Sequence, residues 1–585
     1  MTESTTETGL RPRQLALIAG VALAARVGYV VAFMRGYTPN SDADSYFNIG
    51  RAVSEGHGYV FSLPFEFVHA TAIRPPLYPT VIAGAFRVFG VHVGVAQGVN
   101  IAAGTLAAVA GGMIGARIAG PRAGLCAGLV VALYPPLIAN DVTVLVESIA
   151  VLLLFATVLL LLDGRTVLAG VALGLLMLDR ASAQWFVVVL AAWVLWRFGW
   201  RHALRMTAVA VVVVAPWVVR NAVNVGGPEL VATNGFNLNA IYSNEARQAG
   251  NFVDAYFDSR FAAMRVHALD EVDLDRALRK HALDDLRSHP GELFRVARSN
   301  LARWLELRPS DNRHAETLDG RNLRVRDWTL PLFYVVTAAG IVALALARRS
   351  SGAQLLLLAA AYFSLVCLVS ISVPRLRSVF DGCMAVGAGV ALAGLIDRSS
   401  NVVSDRPSVR AIRKVPSVVA IGSLAVVIAA AGVVWRSNTQ DRAARVVRAA
   451  AERDGSALGA LAADYRSARS ARRLPQFDHT DLDRTRDLVT TLGQRAPQVG
   501  SGLRGRVGDA LRATRVAAHE ADVIALLSAA EDLNAGAEHR PVSLDAVRRR
   551  YEREIRPGDP TLEPWDAVMS GDLLDRGERA VAQLG

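Results

Sequence analysis

Two carboxylates stand close together in the segment 40–51, NSDADSYFNIGR: Asp42 and Asp44, with Tyr46 four residues after the first. A carboxylate in such a setting can act as a general base when its surroundings raise its pKa, or can bind a divalent cation. Ser41-Asp42 ahead of an amphipathic turn is equally an ordinary helix cap. A second segment, 70–79, reads ATAIRPPLYP. Arg74 precedes two prolines and is therefore held in extended backbone. A rigid guanidinium suits a phosphate, whose oxygens it pairs bidentately, although an arginine at a membrane boundary can also simply snorkel. Glu147 follows NDVTVLV inside an otherwise apolar stretch. An acid within an apolar span is costly and marks a functional site, or a structural pair with a cation such as Arg180.

Two later segments add cations. APWVVRNA at 215–222 places Trp217 as an interfacial anchor, with Arg220 and Asn221 beyond it. The asparagines of 233–245 can bond sugar hydroxyls or simply make turns. VPRLRS at 373–378 carries Arg375 and Arg377, two cations for which an anionic ligand is one explanation.

These residues hang on long apolar segments. The chain has 585 residues, 52% hydrophobic and 20% charged, with a mean hydropathy of +0.31. About 20 consecutive apolar residues cross a bilayer. Such runs recur over 14–34, 94–118, 122–139, 142–162, 165–180, 183–199, 203–222, 328–347, 352–373, 377–396 and 415–436. The expected class is an all-α polytopic membrane protein with about 11 transmembrane helices. Strand-length alternation is missing, which argues against an outer-membrane barrel. Cys126, Cys367 and Cys383 lie in or beside apolar runs without metal spacing and read as core residues. No P-loop, dinucleotide fingerprint or G-x-S-x-G elbow occurs.

Orientation follows from arginine. With the short segment 76–91 read as an interfacial helix, Arg11, Arg13, Arg117, Arg122, Arg165, Arg197, Arg201, Arg205, Arg348, Arg349 and the cluster 398–414 fall on one side, the cytoplasmic one. The formal charge of +11 resides in 1–436, because 437–585 carries as many acids as arginines. Beside membrane spans this excess reads as topology rather than as nucleic-acid binding. The domains are then a cytoplasmic 1–12, a membrane module 13–222 with an outer loop 35–93, a second outer loop 223–327, terminal spans 328–436, and an extracytoplasmic helical tail 437–585. Single cysteines placed at Ser62, Ser310 and Ser437 should react with an impermeant reagent from outside the cell, and one at Ser351 should not. Protection of Ser437 would make the span count wrong by one.

The order of these motifs resembles a known family. An acid after the first span, a Tyr four residues on, GHGY at 56–59, RPPLYP at 74–79, APWVVRN and PRLR together resemble the GT-C superfamily of polytopic glycosyltransferases, in its family 39 and aminoarabinose-transferase-like branch. The resemblance covers 13–396. It implies a polyprenyl-phosphate sugar donor and an active site on the outer face of a bacterial plasma membrane, with a cell-envelope glycan, lipid or protein as acceptor. Asp42 then matches the family's base, with Asp44 as the alternative in the repeated D-A-D, and Tyr46 lines the substrate site. Glu147 matches a second acid that is often Asp, which leaves a divalent metal open. Arg74, Arg220 and Arg375, with Asn221 and Arg377 beside them, would face the donor. A lipid-linked sugar flippase is the competing reading, but such proteins place their polar sites near the midplane of repeated halves. The tail 437–585 is expected to position the acceptor.

Overall fold

The computed structural model describes residues 9–61, 69–249, 252–256, 259–261, 264, 270–307 and 309–399. The expected span 415–436 and the tail 437–585 lie outside the described residues. The stretches within 248–267 do not group with the compact unit formed by 9–247 and 268–399.

The unit is helical. Its apolar helical segments are α1 (Pro12–Phe33), α4 (Val93–Ala119), α5 (Pro121–Leu133) with α6 (Pro135–Asp141), α7 (Glu147–Leu162), α8 (Thr166–Asp179), α9 (Phe186–Phe198), α10 (Trp200–Asn224), α16 (Leu323–Leu346), α17 (Ser351–Val369) and α18 (Ser378–Ser399). Ten of the expected spans therefore fall on helices. Among the described residues, seven helical segments are long and apolar enough to cross a membrane, α9 being counted with the 3-10 turn before it as Ala181–Phe198, and eight if α5 and α6 count as one bent span. The 16 residues of α7 and 14 of α8 fall short of the usual length.

Two departures from straight spans matter for the site. Pro135 and Pro136 end α5, and α6 leaves at 58°. A proline lacks the N–H that would continue the helix, so the Ala132 carbonyl is free for another donor. Arg26 of α1 takes it at 3.0 Å and pairs with Asp141 at 2.6 Å. Gly104 of α4 makes room for this pair, since a Cβ there would meet an Asp141 carboxylate oxygen at 2.1 Å. Helix α7 starts at Glu147, later than the apolar run suggests. The intervening carbonyls are held by side chains of α4: Gln97 donates to Val142 O at 2.7 Å, and Asn100 to Thr143 O and Leu145 O at 2.6 and 2.8 Å.

Between the spans lie α2 (Asp42–Ser54), α3 (Leu77–Phe89) and a two-residue antiparallel pair, Val60–Phe61 with His69–Ala70. The all-α reading holds, with this two-residue pair as the one strand contact among the described residues. Helix α3 matches the expected helix at 76–91: Tyr78, Ile82 and Phe86 are buried, Val81, Val88 and Phe89 exposed. The second loop holds α11 (Asn234–Tyr242), α12 (Asn244–Ala249), α13 (Glu271–Ser288), α14 (Gly291–Trp304) and α15 (Pro309–Leu318). Glu271, opening α13, accepts from Thr71 Oγ1 at 3.0 Å and from Ala72 N, tying the two loops together.

Candidate active site

Asp42 begins α2 directly after Ser41, whose φ of 54° and ψ of −122° are rare for a residue with a Cβ. Ser41 makes no side-chain cap. The cap reading of Ser41-Asp42 is therefore not what the helix start uses. Instead each Asp42 oxygen accepts from a different arginine, Arg74 on Oδ1 and Arg375 on Oδ2. These come from distant parts of the chain, Arg74 from the first loop and Arg375 from the turn before α18. The segment that carries Arg74 is held by Tyr59, which donates its hydroxyl to the carbonyls of Arg74 and Pro75 at 3.0 Å. The Arg74 guanidinium also donates to Ser45 Oγ at 2.8 Å and lies 5.2 Å over the Tyr46 ring.

Arg375 sits on a 3-10 turn, Pro374–Arg377, and gathers acids around itself. Besides Asp42, its Nη1 lies 3.6 Å from Glu147 and its Nε 3.2 Å from Asp319. Arg180 holds the turn, donating to Leu376 O at 2.8 Å. It is thus not the partner of Glu147. Tyr37 packs near the break before α7, where its hydroxyl accepts from Val144 N at 3.3 Å.

Burial alone would raise the Asp42 carboxyl, but Arg74 and Arg375 outweigh it and hold Asp42 well below the usual carboxylate range. Burial lifts the Asp319 carboxyl above its ordinary value despite Arg375 and Arg321. The Tyr46 hydroxyl is pushed up by burial as well. A divalent cation bridging Asp42 and Glu147 does not fit this arrangement, because the Arg375 guanidinium already lies between them.

Of the residues singled out by sequence, Asp42, Tyr46, Arg74, Glu147 and Arg375 come together. Asp44 does not join them: it is exposed and accepts from Asn48 at 2.9 Å. Arg220 spends its guanidinium on the carbonyls of Thr71 and Tyr59 at 2.6 and 2.8 Å, stacked on Trp217 at 4.8 Å. Asn221 donates to Glu229 O at 2.8 Å. Arg220 thus clamps the first loop, which carries Arg74, and Asn221 holds the start of the second. Arg220→Leu should therefore lower the thermal midpoint and loosen the first loop to proteolysis. Its effect on substrate binding should be no larger than that loosening explains. A loss of binding in a variant with unchanged midpoint and proteolysis would return Arg220 to the ligand.

Arg377 belongs to a second cluster. It pairs with Glu306 at 2.5 Å and Asp381 at 3.2 Å, donates to Trp304 O, and lies 3.8 Å over Phe333. Glu306 in turn meets Arg326 at 2.5 Å, and Arg326 meets Glu316 at 2.9 Å. Glu306 has a φ of 52°, the only described non-glycine residue besides Ser41 with positive φ. Burial pushes Glu316 up to about 7. Sequence reasoning passed over Asp319, Glu306, Glu316 and Asp179. Asp179 could have been found by the argument that found Glu147. It is an acid at the end of an apolar helix, fully buried, and like Glu147 it has no hydrogen-bond partner on either oxygen.

No protein-family model matches the chain, and no curated protein sequence matches it. Among solved structures it is similar to the archaeal oligosaccharyltransferase AglB from Archaeoglobus fulgidus in complex with an inhibitory peptide and a dolichol-phosphate. The identity is 14% over 73% of this chain and 55% of that one, with a TM-score of 0.40. It is similar also to ArnT from Cupriavidus metallidurans in the apo state, at 18% identity over 67% of this chain and 81% of that one, TM-score 0.31. For ArnT bound to undecaprenyl phosphate the values are 17%, 67%, 81% and 0.28. The chain spans about half the length of the archaeal enzyme.

Proposed function

We propose that the chain is an inverting membrane glycosyltransferase that moves a sugar from a polyprenyl-phosphate donor to an acceptor hydroxyl on the outer face of the membrane. The observation that carries this reading is the convergence of Arg74 and Arg375 on one carboxylate, Asp42, beside the buried Glu147. Two arginines match the charge of a phosphate, and a carboxylate between them can receive a proton from the attacking hydroxyl. The motif order that resembles the GT-C superfamily runs through the same residues.

In the reaction the acceptor oxygen forms a bond to the anomeric carbon from the face opposite the phosphate. Asp42 takes the hydroxyl proton as that bond forms. The bond from the anomeric carbon to the phosphate oxygen breaks, and polyprenyl phosphate leaves with the electron pair. Arg74 and Arg375 meet its growing charge, a preorganised electrostatic role. A phosphate leaves without being protonated, so one carboxylate suffices where glycosidases use two. The donor enters from the lipid, which agrees with the missing nucleotide-binding motifs.

The test is incubation of the purified full chain with a panel of polyprenyl-phosphate sugars and candidate envelope acceptors, read by mass spectrometry. Release of polyprenyl phosphate together with a glycosylated acceptor is expected. Movement of the intact lipid-linked sugar between leaflets, without bond cleavage, would favour the flippase instead.

A further inference from the structure

We infer that Asp42 is a built-in placeholder for the donor phosphate: an incoming lipid phosphate takes Arg74 and Arg375 away from it, and only this exchange frees Asp42 to act as a base. The inference deepens the proposed function and rests on it.

The geometry carries the argument. Both Asp42 oxygens are taken, one by each arginine, through charge-assisted hydrogen bonds. A carboxylate so paired is a weak proton acceptor, because a proton would have to displace two guanidinium contacts. The same two guanidinium groups are the cations available for a phosphate at this place. Arg74 is held by its backbone and by Ser45, and Arg375 by its turn and by Asp319. They are pinned from behind, so the partner that can yield is Asp42, whose side chain keeps 28% exposure while Asp319 keeps 8% and Glu147 1%. A phosphate presents more acceptor oxygens than one carboxylate and can satisfy both forks at once. Its arrival and the release of Asp42 are therefore one event. In the empty site the base is masked, and with donor bound it is exposed to the acceptor hydroxyl, so donor must enter before the acceptor is activated.

Binding of undecaprenyl phosphate to the purified full chain in lipid nanodiscs separates this from the alternatives, with inorganic phosphate as a second probe. Asp42→Asn removes the competitor and should tighten undecaprenyl phosphate by about tenfold, the scale of one charge-assisted contact. Asp44→Asn makes the same charge change two residues away without touching either arginine, and should leave affinity unchanged. Asp42→Ala, which leaves neither oxygen for the arginines, should tighten binding at least as much and keeps the test open if Asp42→Asn folds poorly. Unchanged or weaker binding in Asp42→Asn, or equal tightening in Asp44→Asn, would overturn the exchange and leave the transferase reading to stand on its own assay. Binding of inorganic phosphate as tight as that of undecaprenyl phosphate would overturn the lipid as the ligand. If wild type and folded variants all fail to bind undecaprenyl phosphate, the transferase reading falls with the inference.

Discussion

Asp42→Asn should lower the rate of sugar transfer by a factor of about 10² or more, the usual scale for a removed general base, while Asp44→Asn should stay close to wild type. The two acids are two residues apart and of one chemical type. Their environments differ: Asp42 sits between Arg74 and Arg375, whereas Asp44 is exposed beside Asn48. The amide keeps the shape of Asp42 but has lost the charge and one of the two acceptor oxygens that hold the arginines, and it cannot take the acceptor proton. Initial rates at saturating donor check the point. A fully active Asp42→Asn, with loss in Asp44→Asn, would move the base to Asp44.

A large effect of a different kind is expected at Arg377. Arg377→Met should destabilise the fold by about 3–5 kcal/mol, the cost of leaving buried charges without their partner. Glu306 and Asp381 are 2% and 0% exposed. Glu306 would keep Arg326, but Asp381 would lose its only cation among the described residues. The shift should appear in the thermal midpoint in detergent, with little change in activity per folded molecule. Lost activity at an unchanged midpoint would restore Arg377 to the substrate site. Arg375 and Arg377 thus share a turn but not a task.

Much of this was legible in the residues themselves. The apolar runs marked ten helices. Glu147, an acid in an apolar run, lies 3.6 Å from Arg375 in the folded chain. What stayed hidden were pairings across long stretches of chain. Arg220 and Arg377 look like surplus cations in a linear reading, because the carbonyls and acids that occupy them come from distant segments. Asp319 precedes Gly320 and reads as a turn, and Glu316 reads as one face of a charged helix. Their burial depends on how the second loop folds down, which local pattern does not encode.

The Arg26–Asp141 pair has a consequence for biosynthesis. The two residues are 115 positions apart. When α1 leaves the ribosome and meets the translocon, its arginine has no counter-charge, and none arrives until α6 has been made. An arginine at a helix centre costs about 2.5–3.5 kcal/mol to insert, and the leucines, valines and alanines of α1 must offset that while the nascent chain waits. The first helix is thus a provisional tenant of the bilayer, secured only when the third apolar segment arrives with its aspartate.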